Sequence, residues 1–376
     1  MSAGPLNGVR VVEMSAIGPV PFCAMMFSDM GADVIRVDRK AAAGTGANES
    51  IVDRGRRSIA VDLKKPGAAD VVLRLVEDAD VLLEGFRPGV MERLGLGPDE
   101  CLARNKKLIY GRMTGWGQTG PLAHTAGHDL NYLAITGVLN AMGYRDRPPT
   151  PPLHVVGDLG GGAMMLAFGV MSALWERQRS GVGQVIDAAI FEGASLLATG
   201  YHGRRSSGTW TNARQSNLLD GGAHFYRTYA CADGKFVSIG AIEPQFYREL
   251  LERCAITDLD LQKQSDQETW PGSVEQLATL FARKTRDEWC EILEGTDACF
   301  APVLDFEEAR AHPQFVERES FVQTCGVVHP APAPRLSRTP GQARPIEKVG
   351  ANTRGLLREL GYDIAAIDAL VEEGVI

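Results

Sequence analysis

The sequence predicts an α/β protein with a doubly wound, Rossmann-like parallel sheet in its larger domain and a second, smaller α+β domain. The first observation is the regular alternation of short apolar strands and helical segments in the first half of the chain, which is typical of βαβ units. The second is Asp233-Gly234 between two strand-like runs, a strong hairpin signal. The third is the length of 376 residues, which suits two domains.

Hydrophobic periodicity places the elements of the larger domain. Strands are predicted at 9–13, 33–38, 58–63, 80–86, 108–117 and 184–192. Helices are predicted at 21–30, 66–79, 129–142 and 158–179, and an amphipathic helix is predicted over the tail at 353–373.

Changes in composition suggest the domain borders. The chain turns polar and irregular over 196–220, which we interpret as a linking segment. Five prolines lie between Pro330 and Pro345 and mark a second linker. We therefore assign 1–195 and 335–376 to the larger domain and 221–329 to the smaller one.

Composition excludes several classes of protein. The net charge of −8 gives no overall basic field for nucleic acid or an anionic membrane. Seven cysteines occur singly, which favours a reducing, intracellular location. The N-terminus lacks a signal-peptide profile and the end, Gly374-Val375-Ile376, is not a peroxisomal tag, so we expect a cytoplasmic protein. The most apolar window, 159–175, is short for a membrane span and predicts a buried helix.

A dinucleotide cofactor is not expected, although the predicted fold invites one. The segment after the first strand reads SAIGPVP and lacks the glycines of GxGxxG, which let a backbone approach a pyrophosphate. Asp38 ends the second strand, where a ribose-binding acid would lie, but it has no such loop beside it. HExxH, GxSxG and metal-ligand spacings of Cys and His are absent from the sequence, so neither a metal nor a serine nucleophile is indicated.

Three titratable residues stand at predicted helix starts: His128, Asp158 and Glu243. Each has a purely structural interpretation as a helix cap or as a partner of the helix dipole. The context also favours chemistry, because Gly127 and Gly157 remove side-chain bulk beside two of them. The run of glycines at 160–162 opens a helix with poor helix formers, which is reasonable where a ligand approaches the backbone.

Long segments of the chain resemble the α-methylacyl-CoA racemases of the family III CoA-transferase superfamily, and the resemblance runs nearly from end to end. The segments that carry it include DVLLEGFRPGVMERLGLGP, AGHDLNYLAITGVL, VGDLGGG, LLDGGAHFYRTYACADG and IGAIEPQFY. These motifs are long and specific.

The resemblance implies a cofactor-independent epimerisation of 2-methylacyl-CoA thioesters through an enolate. In such racemases the two bases are the His of the GHD motif and the Asp of the GDxGGG motif, which are His128 and Asp158 here. Glu243 of the IEPQFY motif would pair with that His, and Asp129 would support the site. The resemblance also implies an interlocked homodimer with shared active sites and a branched-chain acyl-CoA substrate in lipid metabolism. The net charge and the short apolar window predict neither a nucleic-acid nor a membrane partner.

The same resemblance implies a coenzyme A site, and basic residues near predicted strand ends suit its phosphates. Arg39 and Arg93 would contact phosphates. The full set of expected CoA-binding residues is Arg39, Arg54, Val61, Asp62, Leu63, Lys64, Gly85, Phe86, Arg87, Arg93, Gly127, Leu130, Asn131 and Tyr132.

Two other functions remain open at this point. A CoA-transferase on the same fold would use Asp158 as a nucleophile and form an aspartyl-CoA thioester. It would not need a base opposite that Asp, so His128 favours the racemase. A CoA-sensing binding protein would not need three titratable groups. The sequence leaves the acyl group open among fatty chains, sterol side chains and aryl-propionyl groups.

Overall fold

The computed structural model describes residues 4–44 and 50–376, and the chain divides into two compact units. Unit 1 takes its described residues from Met1–Thr136, Leu153–Leu197 and Glu317–Ile376. Unit 2 consists of Gly137–Pro152 and Ala198–Val316.

Unit 1 is built on a sheet that has six strands among the described residues, in the order β3-β2-β1-β4-β5-β6. Every neighbouring pair is parallel. The strands are β1 (Arg10–Met14), β2 (Asp33–Arg39), β3 (Arg56–Val61), β4 (Val81–Glu84), β5 (Ile109–Thr114) and β6 (Gln184–Ala189). This is the strand order of a doubly wound dinucleotide-binding sheet, so the predicted fold class is confirmed.

Alternate residues of these strands face two separate cores, as the two-residue period of a strand requires. Val12 and Ile35 belong to one core with α2 (Ala68–Glu77), whereas Val11 and Val34 belong to the other with α1 (Pro19–Asp29). The other helices and strands of unit 1 are α3 (Val90–Arg93), α4 (Pro98–Arg104), α5 (Asp129–Ala134), a π-helix (Val155–Ala163), α7 (Met164–Ser180), α8 (Ile190–Leu197), β10 (Phe321–Thr324), β11 (Val327–Pro330), α15 (Thr353–Glu359) and α16 (Ile364–Glu372), with 3₁₀ turns at Lys40–Ala42 and Ile51–Asp53.

The helix predicted at 158–179 exists, but its first part winds as the π-helix before α7 begins. A β-carbon on Gly161 would lie 2.6 Å from the backbone nitrogen of Ala194 in α8. One on Gly162 would lie 3.1 Å from Pro19 Cβ at the start of α1. The expectation that a ligand explains this glycine run is therefore corrected at both positions, since close packing against α8 and α1 requires them.

The stretch Val155–Ser180 is long and apolar enough to cross a membrane, judged by length and composition alone. Leu166 and Val170 within it are fully buried against the strands of unit 1. The sequence predicts a buried helix, but only 33% of its most apolar window is buried.

Two predicted helices are shorter than expected because each is interrupted by a glycine with positive φ. The helix predicted at 129–142 ends at Ala134 and resumes as α6 (Val138–Ala141), with Gly137 at φ 83° between them. The tail divides into α15 and α16 around Gly361, which has φ 86°. Residues with a β-carbon rarely adopt this conformation, so the glycines fix the breaks. The strand predicted at 184–192 ends at Ala189, and the residues after it open α8.

Unit 2 contains an antiparallel sheet in the order β7-β8-β9. Its elements are α6, α9 (Thr199–Ser206), β7 (Tyr226–Ala230), β8 (Phe236–Gly240), α10 (Pro244–Arg253), α11 (Trp270–Phe281), α12 (Arg286–Leu293), β9 (Phe300–Val303) and α13 (Phe306–Ala311), followed by α14 (Pro313–Glu317) at its border. The hairpin predicted at Asp233-Gly234 joins β7 to β8 and is confirmed. Tyr247, Leu250 and Phe281 are fully buried in the core of this unit.

The borders of the two units differ from the predicted domain borders at two places. Residues 137–152, which we assigned to the larger domain, belong to unit 2, where the Arg214 guanidinium donates to the carbonyl oxygens of Asn140 and Arg147. Residues 317–334 belong to unit 1, where His329 of β11 is buried beside the Arg54 guanidinium. Neither set of contacts has a local sequence signal.

Candidate active site

A cleft of about 350 Å³ opens in unit 1 beyond the carboxyl ends of β4 and β5. In the sheet, β4 lies next to β1, at the point where the order of strand addition reverses. Open α/β sheets bind ligands at this switch point. The predicted site residues that line the cleft are Gly85, Phe86, Arg87, Gly127, His128, Asn131 and Tyr132. Two segments that are 40 residues apart in the sequence are thus brought to one place.

His128 is the N-terminal cap of α5 and is exposed at this cleft. Its carbonyl oxygen accepts the backbone N–H of Asn131 at 2.8 Å, and its own N–H donates to Asn131 Oδ1 at 3.0 Å. These two hydrogen bonds hold the backbone of His128 in an extended conformation and begin the helix. The imidazole is left exposed for chemistry.

Asp158 lies in the π-helix, and its backbone N–H donates to Asp129 Oδ1 at 2.8 Å. The Asp158 carboxylate faces the loop after β1, since a β-carbon on Gly18 would lie 3.2 Å from its Oδ2. His128, Asp129 and Asp158 therefore belong to adjoining helix starts in unit 1. The Asp158 carboxylate lies beside the loop that follows β1. The cleft lies at the carboxyl ends of β4 and β5.

The surroundings of Asp158 favour its neutral form. Burial raises the pKa of this carboxyl above its usual value, and the negative charge of Asp129 raises it further. His154 and His128 oppose this rise in the pKa. A carboxyl group whose neutral form is favoured in this way can donate a proton as well as accept one.

Glu243, the third predicted catalytic residue, is in unit 2 and caps α10. It is exposed, its carbonyl oxygen accepts the N–H of Tyr247 at 3.0 Å, and Pro244 occupies the first helical position. Burial and then the charge of Glu243 raise the pKa of the nearby Cys299 thiol. The pairing of Glu243 with His128 stays a prediction.

Trp116 lines the same cleft and was not singled out in the sequence. Its ring meets the ring of Tyr132 edge to face, with centroids 4.8 Å apart and an angle of 87°. The Tyr132 hydroxyl donates to the carbonyl oxygen of Gly127. A lone tryptophan after a strand has no sequence signature for this role.

Most of the basic residues expected to bind coenzyme A are exposed and can reach a ligand. They are Arg39, Lys64, Arg87 and Arg93. Leu130 is also exposed, whereas Asp62 and Leu63 are half-buried, with Asp62 Oδ1 accepting the N–H of Lys64 at 3.1 Å.

Two members of the predicted set have buried side chains with structural contacts, and their part in binding coenzyme A stays a prediction. Arg54 is 4% exposed, and its guanidinium binds both carboxylate oxygens of Asp29, at 3.0 and 2.6 Å. Such a buried, bidentate pair is a structural ion pair. Val61 is 1% exposed and packs in the core, so its side chain supports the sheet. Asp38, excluded as a ribose ligand by sequence, is likewise buried and accepts from Arg36 Nε at 3.0 Å.

A buried carboxylate beneath the cleft was also missed. Glu84 ends β4 and is fully buried, and its Oε2 accepts the N–H of Phe86 at 2.7 Å. Its Oε1 accepts from Arg112 Nε at 3.0 Å. Burial raises the pKa of Glu84 to about 7, and the bonds from Phe86 and Arg112 work against that rise. Glu84 thereby fixes the turn that lines the cleft.

Fold and site together define an α/β protein with a cleft at the switch point of a doubly wound sheet, and with an imidazole and a carboxyl group beside that cleft. Residues 6–351 match the model of CoA-transferase family III. The chain belongs to that family.

Similar proteins are known in animals and bacteria. The α-methylacyl-CoA racemase of Mus musculus is 47% identical over 361 residues, covering 95% of this chain and 93% of that protein. The α-methylacyl-CoA racemase of Homo sapiens is 44% identical over 376 residues, covering 99% and 97%. The crystal structure of a CAIB/BAIF family protein from Brucella suis has a TM-score of 0.82 at 25% identity, covering 95% of this chain and 99% of that one.

Proposed function

We propose that the protein interconverts the (2R) and (2S) forms of 2-methylacyl-CoA thioesters. The observation that carries the proposal is the pair of unlike titratable groups, His128 and Asp158, on adjoining helix starts beside the switch-point cleft. The racemase names of the mouse and human relatives support the same reaction.

The reaction is a proton transfer at one carbon and leaves the thioester intact. One group removes the α-proton, the electron pair moves onto the thioester oxygen as an enolate, and the other group donates a proton to the opposite face. His128 and Asp158 therefore start in opposite protonation states. Which of the two acts as the base depends on whether the substrate is the (2R) or the (2S) form. One positioned base contributes about 10²- to 10⁴-fold to such a rate.

The enolate requires hydrogen-bond donors. Asp129 occupies the first helical position of α5, where a backbone N–H has no partner within the helix, so its amide can donate to the enolate oxygen. A single donor of this kind is worth roughly 3 to 4 kcal/mol. Proton transfer between these groups needs neither a metal nor another cofactor, and coenzyme A is part of the substrate.

Coenzyme A would bind along the carboxyl edge of the sheet. Arg39 and Arg93 would contact its phosphates, with Lys64 and Arg87 close by, because all four are exposed cations near strand ends or the cleft. Gly127 to Tyr132 would hold the pantetheine end. We expect this reaction to occur in the cytoplasm, on an acyl group of the fatty, sterol or aryl-propionyl type.

We further propose a homodimer in which Glu243 of one subunit pairs with His128 of the other. One face of α7 supports a second copy, because it carries exposed apolar side chains at helical spacing: Met164, Phe168, Met171 and Trp175, which are 45%, 72%, 42% and 65% exposed. Such a stripe is typical of a surface that a partner covers. A carboxylate partner would stabilise the imidazolium that His128 becomes.

The alternative is a CoA-transferase with Asp158 as its nucleophile, and the family name favours it. His128 argues against this role, because a transferase does not need a base opposite Asp158.

Incubation in D₂O tests the proposal. The protein should introduce one deuterium at the α-carbon of a 2-methylacyl-CoA, measured by mass spectrometry across the three acyl types. Failure to exchange any branched substrate, together with hydroxylamine trapping of an acyl group on Asp158, would establish the transferase instead.

A further inference from the structure

The backbone of Asp158 lacks a partner inside its own helix. A π-helix pairs each N–H with the carbonyl oxygen five residues earlier, and the first such bond here runs from Leu159 to the oxygen of His154 at 3.1 Å. The N–H of Asp158 therefore belongs to the unpaired first turn. Asp129 Oδ1 accepts it at 2.8 Å.

The same carboxylate is packed tightly against the π-helix. Gly157 is buried, and a β-carbon there would lie 3.0 Å from Asp129 Cγ and 3.3 Å from Leu133 Cγ. Side chains from the first two turns of α5 thus press directly on the backbone that precedes Asp158. The side chain of Asp129 joins the element that carries His128 to the element that carries Asp158.

We propose that Asp129 is a positioning residue, whose carboxylate fixes the backbone of Asp158 and places a negative charge beside the Asp158 carboxyl. The inference rests on the proposed two-base reaction and adds a role for this side chain. Asp129 acts here through Asp158, by a contact with its backbone, and this role is separate from that of the Asp129 amide.

The Asp158 carboxyl has titratable neighbours on two elements. Asp129, Tyr132 and the cap residue His128 approach it from α5, and His154 approaches it from the start of the π-helix. The two histidines lower the pKa of Asp158, whereas burial and Asp129 raise it. Removing the Asp129 charge should therefore lower the pH at which Asp158 titrates, which makes the neutral proton donor scarcer at a given pH.

Three variants separate the two effects. Asp129→Asn keeps an oxygen acceptor and removes the charge, whereas Asp129→Ala removes both. Asp363→Ala is the matched control, since Asp363 Oδ1 accepts the N–H of Ala366 at 2.8 Å at the start of α16.

Two measurements on the free protein and one on turnover decide the role of Asp129. Amide hydrogen exchange across 155–163 should accelerate about tenfold or more in Asp129→Ala and stay close to wild type in Asp129→Asn and Asp363→Ala. The carboxyl ¹³C resonance of Asp158 should titrate at lower pH in Asp129→Asn. The acidic limb of the α-deuterium exchange rate should move to lower pH in the same variant.

Unchanged amide protection in Asp129→Ala, or an unchanged Asp158 titration in Asp129→Asn, overturns the inference. If Asp129→Ala does not fold, the titration in Asp129→Asn still decides. A wild-type protein that exchanges no substrate would contradict the proposed function alone, because amide exchange and titration are measured without substrate.

Discussion

Gly157 and Asp129 are in such close contact that a β-carbon on the glycine would overlap Asp129 Oδ1. Gly157→Ala must therefore displace the Asp129 carboxylate, whose Oδ1 accepts the N–H of Asp158, and should misplace Asp158 relative to His128. A misplacement of about 1 Å can reduce a rate about 10²-fold. We expect the α-deuterium exchange rate to fall by that order while the circular dichroism spectrum stays that of a folded protein.

Gly355→Ala is the control for this substitution. Gly355 lies in α15 of the same unit, and nothing lies within 4 Å of the position its β-carbon would take. Alanine favours a helix by up to about 1 kcal/mol over glycine, so this variant should be active and slightly more stable. Full activity in Gly157→Ala would show that the contact with Asp129 does not position the site.

Glu243→Gln should slow exchange, and more so at high pH. The reason is that the imidazolium of His128, the proton-donating form, would lose the negative partner that stabilises it and become scarcer as pH rises. Exchange rates between pH 5 and 8 measure this, with Glu249→Gln on the outer side of α10 as a control. Glu249 is in an exposed pair with Arg253 at 2.7 Å, and such pairs contribute about 0.3–0.5 kcal/mol. A pH profile of Glu243→Gln equal to that of wild type would contradict the proposed pairing.

Arg93 and Arg54 should behave differently although sequence analysis assigned both to coenzyme A. Arg93→Ala should raise KM for acyl-CoA roughly tenfold with little change in kcat, because a charge-assisted contact to a phosphate is lost. Arg54→Ala leaves Asp29 buried without its partner and should lower the free energy of unfolding by about 3–5 kcal/mol.

Kinetics with an acyl-pantetheine thioester, which lacks the nucleotide, and urea unfolding check both variants. The KM of the truncated substrate should be the same in wild type and Arg93→Ala. An Arg54→Ala protein with wild-type stability, or an Arg93→Ala effect that persists on the truncated substrate, would contradict these assignments.

His224 should make unit 2 sensitive to acid. It is 1% exposed with Nε2 2.8 Å from the Tyr247 hydroxyl, and burial lowers its pKa to about 4. The unfolded chain therefore binds a proton near pH 6.5 that the folded protein binds only near pH 4. Stability is fully present above pH 6.5 and is lost as pH falls, by about 3 kcal/mol at pH 4.

Urea unfolding at several pH values measures this loss in wild type and in His224→Gln. The variant should be less stable at pH 7 but should lose less stability on acidification. His202→Gln, at an exposed histidine of the same unit, is the control and should follow wild type. Parallel curves for wild type and His224→Gln would rule out His224 as the source.

Local patterns predicted the six strands of the parallel sheet and the hairpin of unit 2, because hydrophobic periods and turn residues act over a few positions, whereas β10 and β11 were not predicted. The motifs that surround His128 and Asp158 also identified the two residues at adjoining helix starts. Trp116 and Glu84 were missed, since their place at the cleft follows only from the strand order.

Contacts between distant residues could not be predicted. Arg54 and Asp29 are 25 positions apart, as are many Arg and Asp residues in the chain that do not pair. The π-winding, the packing of Gly161 on α8 and the bond from Asp158 to Asp129 depend on how whole elements meet. They have no signature in a single sequence.

The most direct test of the account uses pure (2R) and pure (2S) substrate in D₂O with wild type, His128→Gln and Asp158→Asn. Wild type should convert either enantiomer into an α-deuterated mixture of both, and each variant should lose this inversion by at least about 10²-fold. If either variant still inverts both enantiomers at the wild-type rate, His128 and Asp158 are not the two groups that exchange the proton.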